Sequence, residues 1–424
     1  MKNICLYFQI HHPFSFQTFR YFDVGNSKSY YDDFRIEREI NEAVTNYYLP
    51  LNDFLIRQID QSKGKLKLSF YISGTALDQF LIYTPKILTS FRQLADTGQV
   101  EFMGGTSSHS IVSLGENKEE FQRQISLNRE RIEYYFGKKP QVFVNTDLIF
   151  TNRIYEIISD SGYPALLTNG CNKILQWRSP NYFYSGENQK KIKILFRNEF
   201  ISNEFATLLQ NPAILENPEI LKQFLAKFQA IGDEEPLINI YLNYLTLGGT
   251  AIDSKLHYFR RFISKINNSK QYRFDLPTVL MEKFGPVSEI GTEEPVCWAE
   301  HFHPSYYPGN ELQTDAMSQL FKLKTQTEHL DNTNLKIDWQ YLQTSDHFHL
   351  MDENHPAYHD EFSNTYIYKS KYDAYINYMN ILEDFRHRLA AEKARKKIKS
   401  KVLHQPIHKA LFVRPNHQYH DFYE

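Results

Sequence analysis

The side chains in this sequence best able to do chemistry stand just after short apolar runs. Ile4–Ile10 is followed by His11, His12 and Pro13, and Leu66–Ile72 by Ser73 and Gly74. Val100–Met103 is followed by Gly104 and Gly105, and Val142–Val144 by Asn145, Thr146 and Asp147. Ala165–Leu167 leads to Thr168 and Asn169, and Leu237–Leu242 ends at Asn243. Imidazole, hydroxyl, carboxamide and carboxylate groups in these places can bind hydroxyls, although any strand end meets solvent. Paired histidines suggest a second chemistry. His301/His303 and His347/His349 alternate, and on an extended segment each pair would share a face able to bind Zn²⁺; His404 and His408 stand four apart. No third ligand follows at a metal-site spacing, so no metal and no other cofactor is expected.

The elements that must carry these residues alternate. Strand candidates are the six runs above together with Ile192–Phe196. Helical spacing covers Glu37–Ile59, Ala76–Thr97, Glu119–Tyr135 and Arg153–Ser161. Strand and helix in alternation predict a parallel α/β sheet or barrel. Chemistry in such a barrel sits at the carboxyl ends of the strands, where the polar residues fall. From about Glu311 the pattern turns helical, over Glu311–Leu330, Leu335–Leu342 and a long segment from Lys371. The expected organisation is an α/β barrel over 1–300, a C-terminal helical domain over 301–390 and a basic tail over 391–424.

Bulk composition fits a barrel with an appendage. The chain has 424 residues, and its 42% hydrophobic content is enough for a sizeable core. Aromatic residues reach 15%, with 29 Tyr and 32 Phe. Ring faces stack on the apolar faces of pyranoses, although most single rings in a folded chain are core. Trp177 and Trp298 are candidate platforms of this kind, with buried packing as the alternative. A net charge of −2 offers no global attraction for nucleic acid or an anionic membrane. The dense Lys/Arg run from Arg386 to Lys401 is read first as a solvated helix face and second as a docking surface for an acidic protein partner. Cys5, Cys171 and Cys297 are scattered and odd in number, which implies no disulfide framework. The apolar start is too short for a signal peptide, and no run approaches the ~20 apolar residues of a membrane span. A cytoplasmic location is expected.

At these same strand ends the sequence resembles glycoside hydrolase family 57, in particular its α-amylase-like members. Ile4-Cys-Leu-Tyr-Phe-Gln-Ile-His-His-Pro-Phe14 is similar to the family's first block, and Val100-Glu-Phe-Met-Gly-Gly-Thr-Ser-Ser-His-Ser110 to its second. Phe143-Val-Asn-Thr-Asp-Leu-Ile-Phe150 resembles the block in which Asn-Thr-Glu-Leu carries the nucleophile. Leu237-Ile-Asn-Ile-Tyr-Leu-Asn-Tyr-Leu-Thr-Leu-Gly248 falls where the family has Asp-Tyr-Glu-Thr-Phe-Gly, and Leu342-Gln-Thr-Ser-Asp-His-Phe348 is similar to the fifth block. Gln176–Tyr182 and Pro308–Gln313 also look like family segments, so the likeness spans roughly Asn3 to Asp384 in one order. The resemblance implies an incomplete (β/α)7 barrel followed by a helical bundle. It also implies α-glucans or maltooligosaccharides as ligands and a retaining mechanism, in which two carboxylates ~5–5.5 Å apart flank the scissile bond.

Both carried-over catalytic positions depart from the family. Asp147 stands at the nucleophile position in place of Glu, which draws the carboxylate back by roughly 1.3–1.5 Å. Asn243 stands at the acid/base position in place of Asp, and an amide has no proton to give. Loss of a general acid typically costs ~10²–10⁴ in rate. Leu245, Leu247, Gly249 and Thr250 also replace family residues of the fourth block. The expected function is therefore an α-amylase-like protein that binds or acts on α-glucans with retaining hydrolysis weak or lost. The alternative is an active hydrolase or transglycosylase with a substitute acid such as Glu204 or Glu300. His11, His109, Trp177, Trp298, Asp346 and His347 are expected to bind the sugar.

Overall fold

The structure is a computed structural model that describes residues 1–26, 29–187, 192–298, 309–327, 330–352 and 368–403, the side chains of 397–403 excepted. Among the described residues nine strands form: β1 (Lys2–Ile10), β2 (Leu68–Ile72), β3 (Val100–Met103), β4 (Val142–Val144), β5 (Ala165–Asn169), β6 (Tyr184–Ser185), β7 (Lys193–Arg197), β8 (Leu237–Asn243) and β9 (Tyr272–Phe274). In one sheet β1 lies between β2 and β8, parallel to both, with Tyr7 opposite Ser69 and Gln9 opposite Asn243. β3 extends this sheet beyond β2, and β9 pairs with the first residues of β1. In the other, β4, β5 and β7 run parallel and β6 is an antiparallel edge.

Two seams bring the sheets together. Gly104 donates its N–H to Val142 (3.0 Å) and accepts from the Val144 N–H (2.8 Å). Asn198, just past β7, donates its N–H to Asn239 of β8 (2.8 Å). These contacts join the two mostly parallel sheets without a strand-length ladder at either seam, so the α/β class stands and the ladder of a closed seven-unit barrel is not formed among the described residues. The two-residue period of the strands sorts the core. Ile4, Leu6, Phe8 and Ile10 of β1, with Phe70 and Ile240, face the helices. Cys5, Tyr7, Tyr71, Met103, Val144, Leu167, Leu195 and Tyr241 form a separate interior cluster drawn from both sheets.

Proline accounts for two departures from the expected helices. The helical stretch near the N-terminus runs from Asp33 to Gln61 but widens into a π-turn over Val44–Tyr48. Pro50 lies just beyond and has no N–H for the carbonyl a turn earlier. The expected helix over Ala76–Thr97 divides into Gly74–Tyr83 and Lys86–Asp96 at Pro85. Helices at Glu199–Gln210, Pro218–Gln229 and Ile252–Asn267 have no counterpart among the expected elements.

The C-terminal helices Glu311–Phe321, Thr333–Leu342, Asp346–His349 and Lys371–Leu403 share one core with the flank of the sheets. Trp339, Leu342, Phe348, Tyr378 and Phe385 pack there with Phe16, Phe19, Ile111, Phe121 and Phe150. Along the described part of the basic run, Arg388 pairs with Asp338 (2.8 Å), Lys396 with Asp331 (2.5 Å) and Arg386 with Glu383. Those cations engage acids of their own chain. No helix among the described residues is long and apolar enough to cross a membrane.

A buried carboxylate clasps the loop after β1 to the last helix. Asp384 is 1% exposed and accepts from the Gly25 N–H and the Tyr30 O–H, both at 2.6 Å. Replacing Asp384 with Ala leaves both donors without their acceptor and should cost about 2–4 kcal/mol in urea unfolding. A loss below ~1 kcal/mol would show that water replaces the clasp.

Candidate active site

The chain bends sharply after β4 and turns Asp147 into the carboxyl end of the strands. Asn145 makes the bend by donating its amide to the Ile149 carbonyl (2.9 Å) and the Ser113 hydroxyl (3.0 Å). Asp147 and Leu148 both adopt left-handed conformations, φ 51° and 55°. Non-glycine residues there store roughly 1–3 kcal/mol each, strain that tends to collect at functional sites. Thr168, at the end of β5, holds the strained turn by donating to the Leu148 carbonyl (2.8 Å).

Asp147 is only 5% exposed, so the protein must solvate its charge. On Oδ1 it accepts from the Trp298 indole N–H (3.2 Å), with His109 Nε2 at 3.6 Å. On Oδ2 it meets His349 Nε2 at 2.9 Å. Burial works to raise the pKa of this carboxyl, but the positive field of His349 and the hydrogen bonds from His109 and His349 hold it well below the usual range. Burial works in turn to depress His349, and Asp147 overrides it to leave the imidazole raised. The two form an ion pair.

Around this pair stands a second one. His11 places Nε2 2.7 Å from Asp346 Oδ2 and Nδ1 2.9 Å from the Ser73 hydroxyl. The Asp346 carboxyl lies below its usual range, since His11 outweighs the burial that would raise it. The His11 and His109 rings stack at 3.9 Å. Burial, reinforced by His11, lowers the His109 pKa and favours its neutral form. Tyr71 O–H donates to His109 Nδ1 (3.0 Å), which leaves Nε2–H to face Asp147. His109 is also left-handed, φ 49°, and the Ser345 N–H anchors its carbonyl at 3.0 Å. Glycine is required at 105, because a Cβ there would enter the Tyr71 ring.

The expected site residues divide. His11, His109, Asp147, Trp298 and Asp346 come together through the contacts above. Asn169 helps to bring Trp298 in by donating to the Cys297 carbonyl (3.2 Å). Asn243 ends β8 and is exposed, and its side-chain oxygen accepts from the Leu245 N–H (2.9 Å). Two residues earlier, Tyr241 points inward, bonded to Gln9 (2.8 Å) and within the field of Asp147. Trp177 is 85% exposed, with the Arg178 guanidinium 5.3 Å from its ring. His347 turns away from the cluster. It stacks on Phe16 at 3.8 Å and meets the Tyr341 carbonyl through Nε2 (3.0 Å). Glu204 pairs with Lys227 on the neighbouring helix (2.5 Å), and Glu300 lies outside the described residues.

The sequence reading missed His349 as the partner of Asp147. Residues Asp346–His349 form a short helix, not the extended segment on which His347 and His349 would share a face. Asp346 and His349, three apart, share one instead. Among the described residues no group of three or more His, Cys, Asp or Glu is placed to hold a metal ion. His301/His303 and His404/His408 lie outside those residues.

The family model for Glycosyl hydrolase family 57 matches residues 5–293. A Methanocaldococcus jannaschii protein named "Putative alpha-amylase" is 30% identical over 376 residues, covering 84% of this chain and 78% of that protein. The fold is similar to a branching enzyme from Thermococcus kodakaraensis solved with glucose, with a TM-score of 0.68 at 13% identity, over 93% of this chain and 91% of that one. It is also similar to the 4-alpha-glucanotransferase of Thermococcus litoralis, with a TM-score of 0.55 at 14% identity. That match covers 89% of this chain but only 55% of the glucanotransferase.

Two buried histidines outside this cluster make the stability of the fold pH-dependent. Burial lowers His12, hydrogen-bonded to Tyr48, to about 3, and lowers His347 to about 4. An unfolded chain takes up these protons near pH 6.5, so it binds more protons than the fold below that pH. Stability should therefore fall as the pH drops from 6.5 toward 4, by up to about 1.4 kcal/mol per pH unit for each group. His347→Phe should flatten the slope in urea titrations at successive pH values. A parent profile already flat over this range would mean that the fold accommodates both charges.

Proposed function

Because this chain belongs to glycosyl hydrolase family 57, and because its one buried carboxylate at the end of β4 lacks an ionisable acid at the end of β8, we propose that it takes up an α-glucan with retaining hydrolysis weak or lost. Starch, glycogen and maltooligosaccharides are the ligands in view. The name of the protein 30% identical to it, "Putative alpha-amylase", and those of two proteins of similar fold, a branching enzyme and a glucanotransferase, support that class.

The observation that carries the reading is the state of Asn243. A retaining mechanism needs a group that protonates the leaving oxygen and later takes a proton from water. The Asn243 carboxamide can do neither, and its oxygen is already committed to the Leu245 N–H. Leu245 and Leu247, close by on the same turn, add no proton donor. The remaining polar groups suit recognition. Asp346, His11 and Ser73 offer a fixed row of acceptors and donors, and Trp298, 40% exposed and anchored through its N–H, leaves part of a ring face for a pyranose. Trp177, exposed beyond β5, is a second candidate platform.

The competing reading is an active enzyme with a substitute acid. The pairing of Glu204 with Lys227 weighs against that residue. Glu300 is the one to mutate if turnover is found.

Maltoheptaose should bind in isothermal titration, more weakly after His109→Ala or Trp298→Ala, while reducing-sugar release stays far below ~1 s⁻¹. Turnover at or above that rate would discard the weakened-enzyme reading, and absence of binding would discard the ligand class. The double variant Asp147→Glu with Asn243→Asp should gain more activity than the two single changes combined, because both groups serve one transition state. Additive gains would argue that the two positions do not face the same bond.

A further inference from the structure

The contact between His349 and Asp147 carries a consequence separate from the loss at Asn243. His349 comes from the C-terminal helices, on the short turn Asp346–His349. That turn is fixed at its start by the Ser345 N–H on the His109 carbonyl (3.0 Å), and the His349 N–H closes it on Ser345 (3.0 Å). Its imidazole reaches Asp147 Oδ2 at 2.9 Å while Trp298 holds Oδ1. Both carboxylate oxygens therefore accept from fixed donors. To attack an anomeric carbon, an oxygen of Asp147 must give up such a donor, and a hydrogen bond between opposite charges is among the strongest to give up. The shorter side chain has little slack to do so, being 5% exposed and set on a left-handed turn.

We propose that His349 is a positioning residue that holds Asp147 as a fixed anion and withholds it from nucleophilic attack, a second block to turnover beyond the amide at Asn243. The proposal rests on the glucan reading above. It makes the nucleophile recoverable without repair of the acid.

An activated donor isolates that half of the chemistry. With α-maltosyl fluoride, an Asp147 oxygen forms a bond to the anomeric carbon while the C–F bond breaks and fluoride leaves with the bonding pair. The leaving group needs no proton, so Asn243 is bypassed. His349→Phe keeps a ring without a donor, and His349→Gln keeps a neutral donor. We expect fluoride release at least about tenfold faster from His349→Phe than from the parent, with His349→Gln between them. A maltosyl adduct should be found on Asp147 and be lost in His349→Phe/Asp147→Asn. A misfolded variant could not produce such a gain. Equal rates in parent and both variants, with maltoheptaose still bound, overturn the proposal.

Should no variant bind maltoheptaose, the glucan reading fails and the block has no substrate to act against. The ion pair is then judged by imidazole NMR, which needs no ligand. Asp147, Asp346 and Asp352 are the acids acting on His349, with His109 also on Asp147 and His11 on Asp346. Asp147→Asn should lower the pH midpoint of the His349 ring. An unchanged midpoint overturns the pairing itself.

Discussion

A carboxylate taken out of water must be solvated by the protein around it, and Asp147 sets that condition for the rest of the site. Among the described residues, three groups that meet it come from distant parts of the chain. His109 follows β3, Trp298 arrives on the loop pinned by Asn169, and His349 stands on a C-terminal helix. None can be placed without the fold complete. The C-terminal helices are therefore more than a cover for the flank of the sheets, since they deliver the charge that balances Asp147. The clasp of Asp384 on Gly25 and Tyr30, and that of Asn377 on Phe19, tie the segment after His11 and His12 to those same helices.

The difference between the two strand ends follows from where protons can reside. On the side of β4 and the C-terminal helices, two carboxylates and three imidazoles are linked by two short hydrogen bonds, a 3.6 Å approach and a ring stack. At the end of β8 the matching position has an amide whose oxygen caps the next turn. A buried carboxylate therefore stands at the end of β4 and an exposed carboxamide at the end of β8. Groups able to bind hydroxyls surround the first, and the second has no proton to give as an acid, which is the asymmetry the proposed function rests on.

Local pattern was enough to find most of the parallel strands. Their apolar runs are buried on both faces, a condition that leaves an unmistakable block of Ile, Val, Leu and Phe, and the polar residues ending each block mark the site. The family likeness was legible for the same reason, because its blocks are those strand ends. Helices were read less well. Pro50 and Pro85 altered two of them, and the amphipathic segments after β7 and β8 were not recognised at all.

By itself, then, the sequence determined the α/β class, the strand ends that hold His11, His109 and Asp147, and the chemical fact that residue 243 cannot donate a proton. These follow from residue type and short-range periodicity. Only the tertiary structure decided which histidine answers Asp147. Residues 346–349 form one helical turn, which directs Asp346 and His349 to the site and sends His347 into the packing against Phe16. Four residues are too few to show a period of 3.6, so the phase of that turn is set by what it packs against, and that partner lies more than 200 residues away along the chain.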